Sequence, residues 1–143
     1  MPTKTEAADL LMAIHGRHGE SPLPVIAAAT PAQCFDAVLE AARIAVIYRT
    51  PVILLSDTFL ANSSEPWKVP AVADLPSIAV DSWTDTGTFR PYLRHPETLA
   101  RPWAVPGTAG LEHRIGGLEK GDGHGNISYD PANHDFMVRT RQA

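Results

Sequence analysis

Two runs with no polar residue, Val25–Ala29 and Val52–Leu55, flank a segment of helical periodicity, and no other feature limits the fold as strongly. Thr30, Pro31 and Gln33 form a start signal for that helix: a hydroxyl cap, a proline in the first turn and a glutamine reaching back to an orphaned amide. Phe35, Val38, Leu39, Ala42, Ala45 and Val46 then recur on one face, and the helix should end near Tyr48, because Thr50–Pro51 cannot continue it. Strands that are apolar on both faces are the pattern of a parallel pair buried between layers, and a parallel pair needs a right-handed crossover. The predicted fold class is therefore α/β: a partial parallel sheet with one βαβ unit. In such sheets ligands gather beyond the carboxyl ends of the strands, here Thr30 and Ser56–Asp57–Thr58.

Upstream, a helix is predicted from Thr5 to His15, with Thr3 and Glu6 spaced as a capping box, Ala7, Leu10, Leu11 and Ile14 on one face and Gly16 as the stop. Composition changes near residue 65. From Pro66 to Pro106 there are seven prolines in 41 residues, so this stretch should be an extended, proline-rich connection. The expected organisation is an α/β part over residues 1–65 and an extended linker over 66–143 that leads into a further domain. The chain opens directly on a helix and closes soon after a newly ordered segment, His134–Val138, so both ends are expected to fall inside structure.

Composition narrows the function. Of the residues 44% are hydrophobic and 20% charged, with a net charge of -4, and no stretch gathers Lys and Arg away from acids; nucleic-acid binding is not expected. The single cysteine, Cys34, leaves no intrachain disulfide, iron–sulfur or structural zinc motif. No signal peptide or membrane span is visible, and a cytoplasmic protein is expected.

Each remaining motif has a bland and a chemical reading. Gly121–Asp122–Gly123 has the form of the loop that opens a metal-and-diphosphate site in thiamine enzymes, but no buried strand precedes it and no asparagine follows Asn133; a plain turn is the better reading. His15–Gly16–Arg17–His18–Gly19–Glu20 resembles an acid–base or metal cluster, yet Gly16 breaks the helix that would align the histidines, which favours a polar exit loop. Asp57 is a candidate base or ligand, with anchoring of the next loop preferred. Cys34 in a first helical turn reads as a small packed residue, and Trp67 and Trp103 as pins for the proline-rich chain.

Several of these segments carry a resemblance. Pro2-Thr3-Lys4-Thr5-Glu6, His15 to Glu20, Tyr48-Arg49-Thr50-Pro51-Val52-Ile53-Leu54-Leu55-Ser56-Asp57, Arg101-Pro102-Trp103-Ala104-Val105-Pro106-Gly107, Glu112-His113-Arg114 and Tyr129-Asp130-Pro131-Ala132-Asn133-His134 resemble, in that order, the α subunit of 2-oxoacid:ferredoxin oxidoreductases, and most closely the 2-oxoglutarate branch found in actinobacteria. The resemblance implies an internal fragment covering the latter part of the pyrimidine-binding domain and the following linker. It also implies a parent complex that oxidatively decarboxylates a 2-oxoacid to an acyl-coenzyme A and reduces ferredoxin. Thiamine diphosphate, magnesium and an iron–sulfur cluster would belong to that complex, with a thiamine-binding β subunit as partner, and none of these groups is expected on this chain alone.

By the same resemblance no catalytic residue and no metal ligand lies in this chain, while Thr3 and Lys4 would face the substrate, Lys4 pairing with the 2-oxoacid carboxylate. The alternative for Lys4 is a solvated lysine at a helix start. For the chain as a whole the alternatives are a non-catalytic α/β interaction module from a truncated reading frame, prone to self-association, and an independent site built on His15, His18 and Asp57.

Overall fold

Threonine and proline at 50 and 51 separate one helix from one strand, and the chain follows that punctuation closely. A computed structural model describes residues 8–143. Helix α1 spans Ala8–His15, strand β1 Val25–Ala27, helix α2 Gln33–Ile47, strand β2 Ile53–Leu55, helix α3 Thr58–Asn62 and helix α4 Pro131–Gln142, with a single 3-10 turn at Val72–Asp74. The proposed capping box of Thr3 and Glu6 lies outside the described residues.

The chain forms two compact units. One runs to Val46 and takes up again at Thr50–Ile78; the other comprises Ile47–Arg49 and Ala79–Ala143. In the first, β1 and β2 pair in parallel with Val25 opposite Ile53, Ile26 opposite Leu54 and Ala27 opposite Leu55, joined through α2 as the sequence predicts. The Ile53 amide extends the ladder by donating to the Pro24 carbonyl at 3.0 Å. The strands are shorter than the apolar runs, because after Ala27 the chain turns to cap α2: Gln33 Oε1 accepts from the Ala29 amide at 3.1 Å, and the Gln33 amide donates to Thr30 O at 3.1 Å and to Thr30 Oγ1 at 3.4 Å.

Burial corrects one expectation. The strands are not enclosed between layers: Leu54 is 38% exposed between half-buried neighbours in β2, no residue of β1 is fully buried and Ala27 is exposed, and no residue of α2 is fully buried. Two strands of three residues offer too little surface to shield both faces of the ladder and a fifteen-residue helix. Among the described residues of this unit, the buried apolar ones are Ala13 in α1 and Leu60 in α3. Phe35 meets Trp67 with ring centroids 5.2 Å apart, so the first tryptophan does pin the proline-rich chain, here against α2.

The second unit has no named strand. Its chain folds back through isolated bridges, Ser82 with Trp103, Tyr92 with Gly123 and Lys120 with Ile127. Phe89, Leu111 and Met137 are its buried apolar side chains. His134–Val138, which reads as newly ordered in the sequence, lies inside α4, started by Asp130, whose carboxylate accepts from the Ala132 amide at 3.0 Å, and by Pro131 in the first turn. Among the described residues no helix is long and apolar enough to cross a membrane.

Candidate functional site

The carboxyl ends of β1 and β2 are where a parallel sheet receives ligands. At the first end, polar groups are taken up by the start of α2: besides the Thr30–Gln33 pairing, the Ala32 amide donates to Glu65 Oε2 at 2.9 Å and Cys34 Sγ donates to the Thr30 carbonyl at 3.6 Å. At the second, Asp57 is the N-cap of α3, its Oδ1 accepting from the Leu60 amide at 2.8 Å. That is the anchoring role favoured for Asp57, and it leaves the carboxylate committed to a backbone donor rather than presented as a base.

The histidine-bearing loop is likewise a helix exit. Gly16 is required there, since a Cβ would stand 2.6 Å from the Met12 carbonyl oxygen. Arg17 folds back on the last turn, donating to the Ala13 carbonyl and to the Ile14 carbonyl at 3.2 Å, while its Nε donates to the Ser21 carbonyl at 2.9 Å. A guanidinium on these carbonyls complements the negative end of the helix. His15 and His18 are both exposed, and among the described residues no three His, Cys, Asp or Glu side chains converge as a metal site.

Gly121–Asp122–Gly123 is a turn. Gly123 adopts φ 71°, the Gly121 amide donates to Asn126 O at 2.6 Å and the Gly125 amide to Gly121 O at 3.0 Å. Asn133 of α4 holds this turn: its Oδ1 accepts from the Asp122 amide at 3.1 Å, and its Nδ2 donates to Lys120 O at 3.0 Å and to Glu119 Oε1 at 3.2 Å. A loop closed on itself and tied to a helix in this way does not fit a metal-diphosphate cradle, so these residues are not the ones that would hold thiamine diphosphate. Lys120, only 4% exposed, donates its ammonium to the carbonyls of Gly116, at 2.6 Å, and Leu118. The His134 ring donates to Glu119 at 2.7 Å, and this bond holds the Glu119 carboxyl below its ordinary pKa.

One grouping escaped the sequence reading. Arg49, directly after α2, lies over the Trp103 ring at 4.6 Å and donates to the Pro102 carbonyl; Arg101 lies over the Tyr92 ring at 4.7 Å; Arg94 packs on Met137. The residues are scattered from 49 to 137 in the chain, and no local period brings them together; the Arg49 and Trp103 side chains were visible only as parts of separate segments. Thr3 and Lys4 lie outside the described residues.

Residues 1–128 match the family model described as pyruvate flavodoxin/ferredoxin oxidoreductase, thiamine diP-bdg. The chain belongs to this family. It is 61% identical over 143 residues to the 2-oxoglutarate oxidoreductase subunit KorA of Mycobacterium tuberculosis, a match that covers 100% of this chain and 22% of that protein. It is 30% identical over 146 residues to the α subunit of 2-oxoacid:ferredoxin oxidoreductase 1 of Aeropyrum pernix, again over 22% of the relative. Among solved structures, the 2-oxoglutarate:ferredoxin oxidoreductase from Magnetococcus marinus, with 2-oxoglutarate, coenzyme A and succinyl-CoA bound, superposes with a TM-score of 0.83 at 37% identity, over 96% of this chain and 24% of that one. The chain thus spans about a fifth to a quarter of the proteins it matches.

Proposed function

We propose that this chain is part of the α subunit of a 2-oxoglutarate:ferredoxin oxidoreductase, a complex that oxidatively decarboxylates the 2-oxoacid to an acyl-coenzyme A and passes the electrons to ferredoxin. The observation that carries the proposal is the 61% identity along the whole chain to a 2-oxoglutarate oxidoreductase subunit. Thiamine diphosphate supplies the carbanion chemistry in such a reaction. In this reading magnesium, an iron–sulfur cluster and the diphosphate sit on other parts of the complex, including a thiamine-binding β subunit, and the complex works in the cytoplasm. Residues 1–65 would be the latter part of the pyrimidine-binding domain and residues 66–143 the connection into the next domain. The capped strand ends, the histidine loop spent on a helix terminus and the closed Gly121–Gly123 turn support a chain that positions rather than catalyses.

The test is the whole α subunit assembled with its β partner. Reduction of ferredoxin or viologen should require 2-oxoglutarate and coenzyme A together, while the 143-residue chain alone should give no turnover. Faster turnover of pyruvate than of 2-oxoglutarate would overturn the substrate assignment.

Thr3 and Lys4 are proposed to face the substrate, with Lys4 opposite the 2-oxoacid carboxylate. Lys4→Ala in the assembled complex should raise KM for the oxoacid about ten- to a hundredfold, the worth of a hydrogen bond to a charged group, and leave KM for coenzyme A unchanged. Unaltered constants and turnover would make Lys4 an ordinary solvated lysine.

A further inference from the structure

Among the described residues of the second unit, the rings of His95, His113 and His134 make hydrogen bonds, and two of them do so through an N–H. His134 donates to the Glu119 carboxylate at 2.7 Å and His113 Nδ1 to the Leu111 carbonyl at 2.8 Å, so a second proton on either ring leaves those bonds in place. His95 is the reverse case. Its Nδ1 faces two donors, the amides of Glu97 at 3.3 Å and Thr98 at 3.4 Å, and holds them only as a lone pair. The neutral ring therefore carries its proton on Nε2.

Those two bonds close a turn from His95 to Ala100. The side chain reaches the amides two and three positions on, the pattern that Asp or Asn makes at a turn or helix start. Pro96 presets the first bend; the Leu99 amide then donates to the His95 carbonyl at 2.9 Å, the His95 amide to the Ala100 carbonyl at 2.9 Å and the Ala100 amide to Thr98 Oγ1 at 3.3 Å. The turn is held against its own backbone, since Leu99 sits at φ 57°, a conformation costly for any residue with a Cβ. Its two stems lead directly into Arg94, packed on Met137 of α4, and Arg101, which lies over the Tyr92 ring. Arg94 and Glu97 are the charged neighbours of His95 in the chain; among the described residues no charged group of another element forms an ion pair with its exposed ring.

We propose that the His95–Ala100 turn is a pH-sensitive latch, closed on a neutral His95 ring and released when Nδ1 takes a proton. Protonation turns the acceptor into a donor aimed at two other donors, so both bonds are lost together and like partial charges meet. The Leu99 backbone then relaxes from its left-handed conformation. Geometry sets the sign: the two bonds stabilise the turn above the range in which histidine titrates, between about pH 5 and 8, and are lost as pH falls through it. An aspartate in the same place would keep its acceptor down to about pH 4. Opening separates the stems, and Arg101 loses its fixed place over Tyr92. This latch goes beyond the proposed oxidoreductase role and does not rest on it.

The experiment is a pH titration of the full 143-residue chain from about pH 8 to about pH 5, followed by the ring-nitrogen signals of the histidines and by amide exchange. At the upper end His95 should show the Nε2–H tautomer. Acidification should speed exchange at Glu97 and Thr98 by about tenfold or more relative to the intrinsic rate at each pH, with the Tyr92 ring signals moving at the His95 midpoint. His95→Asn, whose side-chain oxygen accepts from the same two amides at any pH, should keep the turn closed across the range, and His95→Ala should leave it open throughout. The ring is exposed, so neither substitution removes a core contact. An Nδ1–H tautomer at the upper end, relative exchange at Glu97 and Thr98 that does not change with pH, Tyr92 signals that stay fixed while His95 titrates, or a His95→Asn chain that opens with acid as the wild type does would each overturn the proposal.

Discussion

In the first unit, backbone hydrogen bonds follow a regular plan: a parallel ladder of three residue pairs, a fifteen-residue helix between its strands, and polar side chains placed at the ends, Thr30 and Gln33 before α2 and Asp57 before α3. In the second, pairing never extends past single bridges, and side chains do what a ladder does elsewhere. Asn133 joins three points of the 119–122 segment, Lys120 gathers two carbonyls, and arginines lie on Tyr92 and Trp103. Seven prolines between residues 66 and 106 explain the contrast, since each removes a backbone donor that a ladder would need. A chain so depleted in regular pairing can still bury Phe89, Leu111 and Met137, provided that side chains satisfy the carbonyls left over. The difference teaches that the first kind of order is local and repeatable, while the second depends on individual residues far apart in sequence.

The largest effect expected from this contrast is at Met137, 3% exposed. Met137→Ala should cost about 2–5 kcal/mol, removing amide exchange protection in α4 and around residues 119–127 while α2 keeps its own. Equal loss of protection in both units would show that they unfold as one, and the comparison would fail.

Next in size is Asp57→Ala, which leaves the first amides of α3 without their cap and should cost about 0.5–2 kcal/mol. Denaturant titration should place the loss in the first unit, with the second unit's midpoint unmoved.

Leu54→Asp is expected to be milder still. A side chain 38% exposed gives up little on becoming charged, and a change of no more than about 1 kcal/mol should follow, with helical circular dichroism intact. Cooperative unfolding would restore the reading of β2 as a strand enclosed on both faces.

Acid should also separate the units. Asp85, bonded by Thr88 and Gly87, Glu119, bonded by His134, and Asp135, bonded by Arg139, are all held below their ordinary pKa values in the second unit; Glu40, bonded by Arg43, is the corresponding case in the first. A carboxyl depressed in the folded state stabilises it above the ordinary values of 3.8 and 4.5, and that contribution disappears as pH falls through the folded value. Exchange protection on lowering the pH below about 4.5 should therefore fade in the second unit before the first. The opposite order would mean that these bonds contribute nothing to its stability.

Much of the first unit was legible. Apolar runs, the Thr30–Pro31–Gln33 start, the Gly16 stop and the Pro51 break are all short-range signals, and each is found where the sequence predicts it. Asp57 reads correctly as an anchor, although the short α3 that it begins was not foreseen. Asp130–Pro131 carried an N-cap and a first-turn proline, and with that signal α4 could have been drawn in full. The arginine group had no such signal: Arg49 and Trp103 are 54 positions apart, and only the folded chain brings the guanidinium onto the ring.

By itself, then, the sequence determined the βαβ order, its helix boundaries and, through motifs spread along the chain, the family to which it belongs, because caps, breaks and periodicity act over a few neighbouring residues. Tertiary structure alone decided how much of each apolar face is covered, which polar side chains are consumed as caps, and which cations meet. Burial and charge are properties of what stands nearby in space: Leu54 lies opposite Ile26 and Arg94 on Met137, 28 and 43 positions away, and no local period or spacing links them.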